Sequence, residues 1–350
     1  MPGLGPGIHV LFAVTAGKDV DGRDEPGHDG GMNRSLPAAA IAVALFAAAF
    51  PNVLAADTLK IASPIRGSWE GAIPDLGRQA GIFRRHGLEL DILYTQGGGE
   101  TLQAVVSGSV DIGLSAGTLG TLGAYSKGAP VRIIAASSTG SRELFWWVPA
   151  RSPLHSMRDV NGQTIAYSTT GSSTHIAILR FISEYGIKAT PVATGDVTGT
   201  ITQVMSGQVD VGWSVAPFVL GQLHNGEARM IARASDIAVI RGQTIRVQIM
   251  NAQNLAAKKD AVARYLKAYD ETVDWMYSSP DAVPRYLAFS GLSEPAVRLM
   301  LAEFIPKESL QTRQVLGLDE SMKDAVQFKF IAAPLNADQV KELIQLPPNP

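Results

Sequence analysis

Hydrophobic and polar positions follow two different periods in the first part of the chain. Residues 57–65 and 88–95 alternate with the two-residue period that is typical of half-buried strands. Between them, 72–87 places apolar residues three and four apart, as on one face of a helix, and stops at Gly87. The pattern therefore predicts a strand, a helix and a second strand.

The same alternation of strands and helices continues. A glycine turn leads into a predicted helix at 97–108, and strands are predicted at 110–117 and 130–138. Strands that alternate with helices along a chain are typical of an α/β fold with a mostly parallel sheet.

One phrase occurs twice in the chain. GSVDIGLSAG at 108–117 returns as GQVDVGWSVA at 207–216, and a glycine turn and a predicted helix precede each copy. The repeat predicts two similarly built α/β lobes. Asp111 and Asp210 stand at the start of the repeated strands, where a carboxylate usually binds nearby backbone amides. We therefore expect a structural role for both of them.

The C-terminal third has a purely helical pattern. Residues 258–304 form successive amphipathic segments, broken at Ser279-Pro280 and at Gly291. Aromatic and leucine side chains at helical spacing predict core packing here.

The N-terminal region has the pattern of an export signal. Residues 32–55 contain one arginine, an apolar run and the small-residue cleavage site Val53-Leu54-Ala55. The run is too short and too interrupted for a membrane anchor, which needs about 20 apolar residues. We expect 1–31 to be a non-native upstream extension and the mature chain to begin at Ala56 or Asp57.

Composition narrows the classes of protein. The 350 residues are 46% hydrophobic, enough for about two domains, and the formal net charge of −2 provides no basic surface for nucleic acid. The chain has no cysteine, so the cysteine on which a lipoprotein is anchored is missing. We expect a soluble, exported, periplasmic protein.

Candidate binding residues follow the predicted strands. In open α/β sheets, ligands bind beyond the carboxyl ends of the strands. At 168–175, a loop opens a helix with hydroxyl side chains and free backbone N–H groups, which suits an anion, although a plain helix cap uses the same residues. These two regions contribute Ser115, Ala116, Gly117, Thr118, Gly171, Ser172, Ser173, Thr174 and Ser214.

Aromatic and charged side chains add further candidates. Gly67, Ser68 and Trp69 follow the first strand, and we expect Trp69, together with Trp213 in the repeated strand, to form an apolar wall. Arg66 and Arg142 could supply a counter-charge for an anion, and Glu143 could accept from a ligand amine. The sequence leaves open whether any of these three contacts the ligand.

The repeat, the GSSTH helix start at 171–175 and the export signal together resemble the substrate-binding proteins of ABC importers, in particular the alkanesulfonate, taurine and nitrate group. The resemblance implies a type II periplasmic binding protein with two lobes, each a mostly parallel sheet flanked by helices. Lobe 1 would comprise 57–149 plus about 246–350, and lobe 2 would comprise 150–245.

The resemblance also implies a function. A monomeric binding protein without a cofactor would capture a small organic anion, such as a sulfonate or an aromatic carboxylate, and deliver it to a membrane permease. The alternatives on the same fold are a pyrimidine-precursor binder and an enzyme of the thiamine-pyrimidine-synthesis type, which uses a cysteine-rich segment that this chain lacks.

Overall fold

Ten strands and fourteen helices form within residues 56–346, the part of the chain that this computed structural model describes. The strands are β1 Asp57–Pro64, β2 Leu88–Thr95, β3 Ile112–Gly117, β4 Val131–Thr139, β5 Leu144–Pro149, β6 Thr164–Tyr167, β7 Thr190–Ala193, β8 Gly212–Val215, β9 Ala228–Arg233 and β10 Thr244–Asn251. The predicted export signal and the upstream extension lie outside the described residues.

The helices connect and cover these strands. They are α1 Ile73–Gln79, α2 Ile82–Arg85, α3 Gly98–Val106, α4 Thr118–Ser126, α5 Ser173–Tyr185, α6 Val197–Met205, α7 Leu220–His224, α8 Ala238–Arg241, α9 Ala252–Ala257, α10 Lys259–Ser278, α11 Ala282–Ser290, α12 Glu294–Glu303, α13 Leu318–Gln327 and α14 Ala337–Leu343.

The first lobe is built on a five-stranded sheet of order β2-β1-β3-β10-β4. β1 runs parallel to β2 and β3, whereas β10 runs antiparallel to both β3 and β4. Four strands therefore run in one direction, and the antiparallel strand comes from much later in the chain.

The second lobe repeats this arrangement. β5 runs antiparallel between β8 and β9, β6 and β7 are parallel, and an isolated parallel bridge between Ile165 and Val211 places β6 beside β8. The order is therefore β7-β6-β8-β5-β9, which matches the first lobe strand for strand. The predicted α/β fold with two similarly built lobes is confirmed.

The second lobe is built from the continuous run β5 to β9, whereas the first combines β1 to β4 with β10, so the chain crosses between the lobes twice. The crossings lie between β4 and β5 and between β9 and β10. The predicted boundary at 149/150 is corrected by this pairing, because β5 is hydrogen-bonded to β8 and β9 of the second lobe. Likewise β10 enters the first sheet at Thr244, just before the predicted 246.

The repeated aspartates stabilise the start of a neighbouring strand. Asp111 Oδ2 accepts the backbone N–H of Lys60 at 2.9 Å, and Asp210 Oδ2 accepts that of Thr164 at 2.8 Å. Both carboxylates lie at the amino ends of the parallel strands, opposite the edge where ligands bind such sheets. Their expected structural role is confirmed.

The predicted helix at 72–87 is interrupted. It forms α1 and α2 separately, because Gly81 adopts a left-handed φ of 71° between them. The C-terminal prediction is confirmed: α10 buries Tyr265, Tyr269 and Met276 in the core of the first lobe.

Candidate functional site

The carboxyl ends of β1, β3, β6 and β8 surround a small cavity between the two lobes. Its volume is about 20 Å³, which holds about one water molecule. The first lobe lines it with Pro64, Ile65, Ser68, Glu70, Gly97, Gly98, Ser115 and Arg246. The second lobe lines it with Leu144, Ser168, Ser172, Ser173, Thr174, Trp213 and Val215.

The start of α5 reaches the cavity with unused hydrogen-bond donors. Ser172 is the helix cap, and its hydroxyl accepts the backbone N–H of His175 at 3.2 Å. Thr174 is also engaged, since its hydroxyl accepts the backbone N–H of Ser168 at 2.9 Å. The Ser173 hydroxyl, by contrast, has no hydrogen-bond partner among residues 56–346, and neither do the backbone N–H groups of Ser173 and Thr174.

The start of α3 faces the same cavity from the first lobe. The backbone N–H groups of Gly97 and Gly98 donate to no other group in the described part of the chain. A Cβ atom on Gly98 would lie 2.6 Å from the Ser115 carbonyl oxygen, so only glycine fits there. Two helix N-termini with free donors therefore meet at the cavity, and both favour negative charge.

A buried ion cluster forms one wall. Arg246 Nη2 lies 2.9 Å from Glu70 Oε2 and also pairs with Glu143. Glu70 Oε1 accepts the hydroxyls of Ser115 at 2.5 Å and Ser137 at 2.7 Å. Within the described residues, the contacts of the guanidinium all involve Nη2, and Arg246 Nε is buried without a partner.

Burial sets the protonation of this cluster. It raises the pKa of the Glu143 carboxyl, and Arg246 counteracts that shift only in part. Burial opposes the charge of Arg246, but Glu143 and Glu70 outweigh it and raise the pKa of the guanidinium. The acidic side chains of Glu70 and Glu143 therefore favour the charged form of Arg246 and already occupy it as a hydrogen-bond donor.

Two cavity residues have strained backbones. Ile65 and Ser115 adopt left-handed φ values of 58° and 54°, which are unusual for residues other than glycine. Such conformations persist where the surrounding structure imposes them and often occur at binding sites.

Six of the predicted site residues line the cavity, and seven lie elsewhere. Those at the cavity are Ser68, Ser115, Ser172, Ser173, Thr174 and Trp213. Those that do not line it are Gly67, Trp69, Ala116, Gly117, Thr118, Gly171 and Ser214.

Trp69 does not form the expected cavity wall. It is fully buried in the core of the first lobe, where its ring makes edge contacts with Tyr277 and Tyr286. The aromatic surface at the cavity comes from Trp213, whose indole N–H donates to the Thr194 hydroxyl at 3.1 Å.

The other six displaced residues have structural contacts. Ala116 packs in the core, and the hydroxyls of Thr118 and Ser214 donate to the carbonyls of Thr244 and Phe218. The Gly67 carbonyl accepts the Tyr286 hydroxyl.

Gly117 and Gly171 meet each other where the lobes touch. A Cβ atom on Gly117 would lie 2.0 Å from the Gly171 carbonyl oxygen. These two glycines therefore permit close contact between the lobes.

Sequence reasoning missed the charged wall. Glu70 directly follows the GSW motif, so its position offered a signal, whereas Arg246 is brought in by β10 from about 175 residues away. Of the three charged candidates, Glu143 forms an ion pair with Arg246. Arg66 lines a neighbouring cavity, and Arg142 lines neither that cavity nor this one.

The described residues contain no group of histidine, aspartate and glutamate side chains arranged to hold a metal ion. No helix among them is long and apolar enough to cross a membrane.

Two α/β lobes with the same strand order, joined by two chain crossings and with a polar cavity between them, define the periplasmic binding protein fold. The solved alkanesulfonate-binding protein SsuA from Xanthomonas axonopodis pv. citri, bound to MOPS, matches with a TM-score of 0.70 and 19% identity, over 83% of this chain and 98% of that one. The nitrate-binding protein NrtA from Synechocystis PCC 6803 matches with a TM-score of 0.59 and 13% identity, over 82% and 86% of the two chains.

The chain belongs to the NMT1/THI5-like family, whose profile matches residues 76–283. A related protein is the 4-amino-5-hydroxymethyl-2-methylpyrimidine phosphate synthase THI12 of Saccharomyces cerevisiae, 23% identical over 218 residues. That match covers 59% of this chain and spans 63% of the yeast protein's length. The resemblance to importer binding proteins that the sequence indicated is thus confirmed at the level of family and fold.

Proposed function

We propose that this protein is the solute-binding component of an ABC importer, and that it captures a small organic anion between its lobes. The observation that carries the proposal is the meeting of two helix N-termini with free donors at the interlobe cavity. Export to the periplasm and delivery of the solute to a membrane permease complete the proposed role.

The distribution of charge supports an anionic group at the helix starts. Four backbone N–H groups and the Ser173 hydroxyl are available there, and both helix dipoles direct positive potential to the same point. Because Glu70 and Glu143 offset Arg246, we expect the ligand's acid group at the helix starts rather than deep in the ion cluster.

The apolar part of the ligand has a partner as well. Leu144, Val215 and the Trp213 ring form an apolar side of the cavity. A bare inorganic anion would leave that surface unused, so we rank organic sulfonates and carboxylates above nitrate.

Binding of such a ligand requires lobe movement. The cavity volume of about 20 Å³ is too small for an organic acid. The two crossings between the lobes provide a hinge, and closure around a ligand is the usual motion of this architecture.

The alternative function is synthesis of a pyrimidine, as in the name of the yeast relative. No histidine lines the cavity, and the chain has no cysteine. The cavity therefore offers neither a histidine base nor a cysteine nucleophile from the described part of the chain. Within residues 56–346, its one lining carboxylate, Glu70, is already engaged by Arg246, Ser115 and Ser137, and we favour binding without turnover.

Calorimetric titration with sulfonates, carboxylates and neutral pyrimidines tests the proposal, using wild type and Ser173→Ala. We expect organic acids to bind wild type and to be recovered unchanged. Loss of a hydrogen bond to a charged group costs about 1.5–3 kcal/mol, so Ser173→Ala should weaken their binding about 10- to 150-fold. The melting temperature of the unliganded variant should hardly change, because the Ser173 hydroxyl has no partner in the described residues.

The matched control is Ser183→Ala, on the same helix but outside the cavity. It should bind like wild type. Binding of neutral pyrimidines alone, conversion of the ligand, or equal affinities of the Ser173 variant and wild type would each contradict the proposal.

A further inference from the structure

A second and larger cavity lies in the same cleft, next to the one described above. Its volume is about 290 Å³, and both lobes line it. We call it the outer chamber, with Ile65, Arg66, Tyr94 and Gln96 on the side of the first lobe and Asp196 and Phe218 on the side of the second.

The two cavities are adjacent. Ile65 lines both of them, and Gln96 in the outer chamber directly precedes Gly97 in the inner cavity. An elongated ligand whose acid group contacts the start of α5 could therefore place its other end in the outer chamber. The outer chamber has about the volume of a small ligand pocket, whereas the inner cavity does not.

Arg66 is the cation of the outer chamber. Its guanidinium lies 5.7 Å from the centroid of the Tyr94 ring and 5.6 Å from that of Phe289, so aromatic contacts hold it in place. Within residues 56–346, it forms no ion pair with a carboxylate. Its hydrogen-bond donors are therefore available to a ligand.

The two acidic or phenolic groups of the chamber are already engaged. Asp196 caps α6 by accepting the backbone N–H of Gly199 at 2.7 Å, and the helix dipole offsets its charge. The Tyr94 hydroxyl donates to Asp75. Among the described residues, Arg66 is thus the one lining residue that offers a positive charge, and Gln96 and Thr198 add neutral polar groups beside it.

We infer that the ligand is an elongated organic acid with a second acidic group, and that Arg66 recognises this group in the outer chamber. This inference rests on the proposed function, since it places the first acid group at the helix starts. It narrows the ligand class from organic anions in general to diacids that extend along the cleft.

The test compares monoacids with matched diacids: hexanoate with hexanedioate, butanesulfonate with 4-sulfobutanoate, and benzenesulfonate with 4-sulfobenzoate. Each is titrated calorimetrically into wild type, Arg66→Gln and Arg142→Gln. Arg142 is the matched control, because it is also exposed but lines neither cavity.

In wild type and Arg142→Gln, at least one diacid should bind about three- to tenfold more tightly than its monoacid, the range expected for a partly exposed charged contact. In Arg66→Gln that gain should disappear, while monoacid affinity changes by less than about twofold.

Three results would overturn the inference and leave the proposed function in place. The first is that monoacids bind and no diacid binds more tightly than its monoacid. The second is that the tighter binding of diacids persists in Arg66→Gln. The third is that Arg142→Gln removes the tighter binding as fully as Arg66→Gln does, which would indicate long-range electrostatic attraction of the diacid. If neither monoacids nor diacids bind, the proposed function fails and the inference fails with it.

Discussion

At the scale of single residues, the neighbouring hydroxyls at the start of α5 have different partners. Two of them therefore have a structural role, and one is available to bind a ligand. Ser172 caps the helix, and Thr174 holds the backbone of Ser168. Only Ser173 faces the cavity with its hydroxyl unengaged in the described structure. A sequence shows three equivalent hydroxyls here, because the partner of each depends on the path of the loop before the helix.

His175, one turn into α5, should make stability depend on pH. Its ring stacks 4.3 Å from Tyr167, and burial lowers its pKa from 6.5 to about 4. The unfolded chain therefore binds a proton at His175 near pH 6.5, whereas the folded chain binds it only near pH 4. We expect the folded state to lose stability progressively as the pH falls through this window.

The measurement is the melting temperature of wild type and His175→Gln between pH 7 and pH 4. The decrease should be shallower in the variant, while His155→Gln, at an exposed position, should follow wild type. Parallel curves for wild type and His175→Gln would show that this histidine does not control the acid response.

At the scale of elements, α13 connects the C-terminal region to α5 of the second lobe. Asp324 on α13 is fully buried, and its carboxylate accepts from Arg180 Nε at 3.0 Å and from Gln243 Nε2 at 3.2 Å. Gln243 lies just before β10, at the second crossing between the lobes. Arg180 on α5 and Gln243 before β10 therefore share one buried carboxylate on α13.

Asp324→Asn should destabilise the protein much more than an exposed charge change. The substitution removes the buried charge that pairs with Arg180, which then keeps, among the described residues, only the partly exposed Glu184 at 3.7 Å. We therefore expect a loss of about 3 kcal/mol in the free energy of unfolding, near the low end for buried pairs.

Urea unfolding of both variants checks this expectation. The control Glu294→Gln breaks an exposed pair with Arg298 on α12 and should cost less than about 1 kcal/mol. Equal losses in Asp324→Asn and Glu294→Gln would show that the α13 contact with α5 contributes little.

At the scale of the whole molecule, glycines determine how closely the lobes approach. The Cβ positions of Gly117 and Gly120 would fall 2.0 Å and 2.6 Å from the Gly171 carbonyl oxygen. Contact between the lobes there is backbone against backbone. Any side chain at these positions would hold the cleft open.

Gly117→Ala should therefore impair closure. Gly117 has φ −63° and ψ 130°, which alanine adopts without strain, so the effect should come from the lobe contact alone. Overpacking of this kind costs about 1–3 kcal/mol, and we expect ligand affinity to fall roughly tenfold.

Small-angle scattering in the presence of a bound organic acid should give a larger radius of gyration for Gly117→Ala than for wild type. Gly221→Ala, whose Cβ would meet no atom within 4 Å, should scatter and bind like wild type. A variant that closes and binds normally would exclude this role for Gly117.

The sequence by itself determined the α/β class, the two-lobe repeat and the location of most strands, because these depend on local periodicity and on short-range turns. It also determined the structural role of Asp111 and Asp210, since a carboxylate beside a strand start finds backbone donors nearby. The helix start at 171–175 was found in the same way, from residues that are close in sequence.

Only the tertiary structure decided which of these residues share one cavity. Arg246 reaches Glu70 because β10 returns from the other half of the chain, and Trp69 turns into the core because Tyr277 and Tyr286 lie beneath it. Both outcomes depend on contacts between residues more than 170 positions apart. Local patterns carry no information about such contacts. The sequence therefore pointed to Glu143 and Trp213, but it could not place Arg246 beside Glu70 or Trp69 in the core.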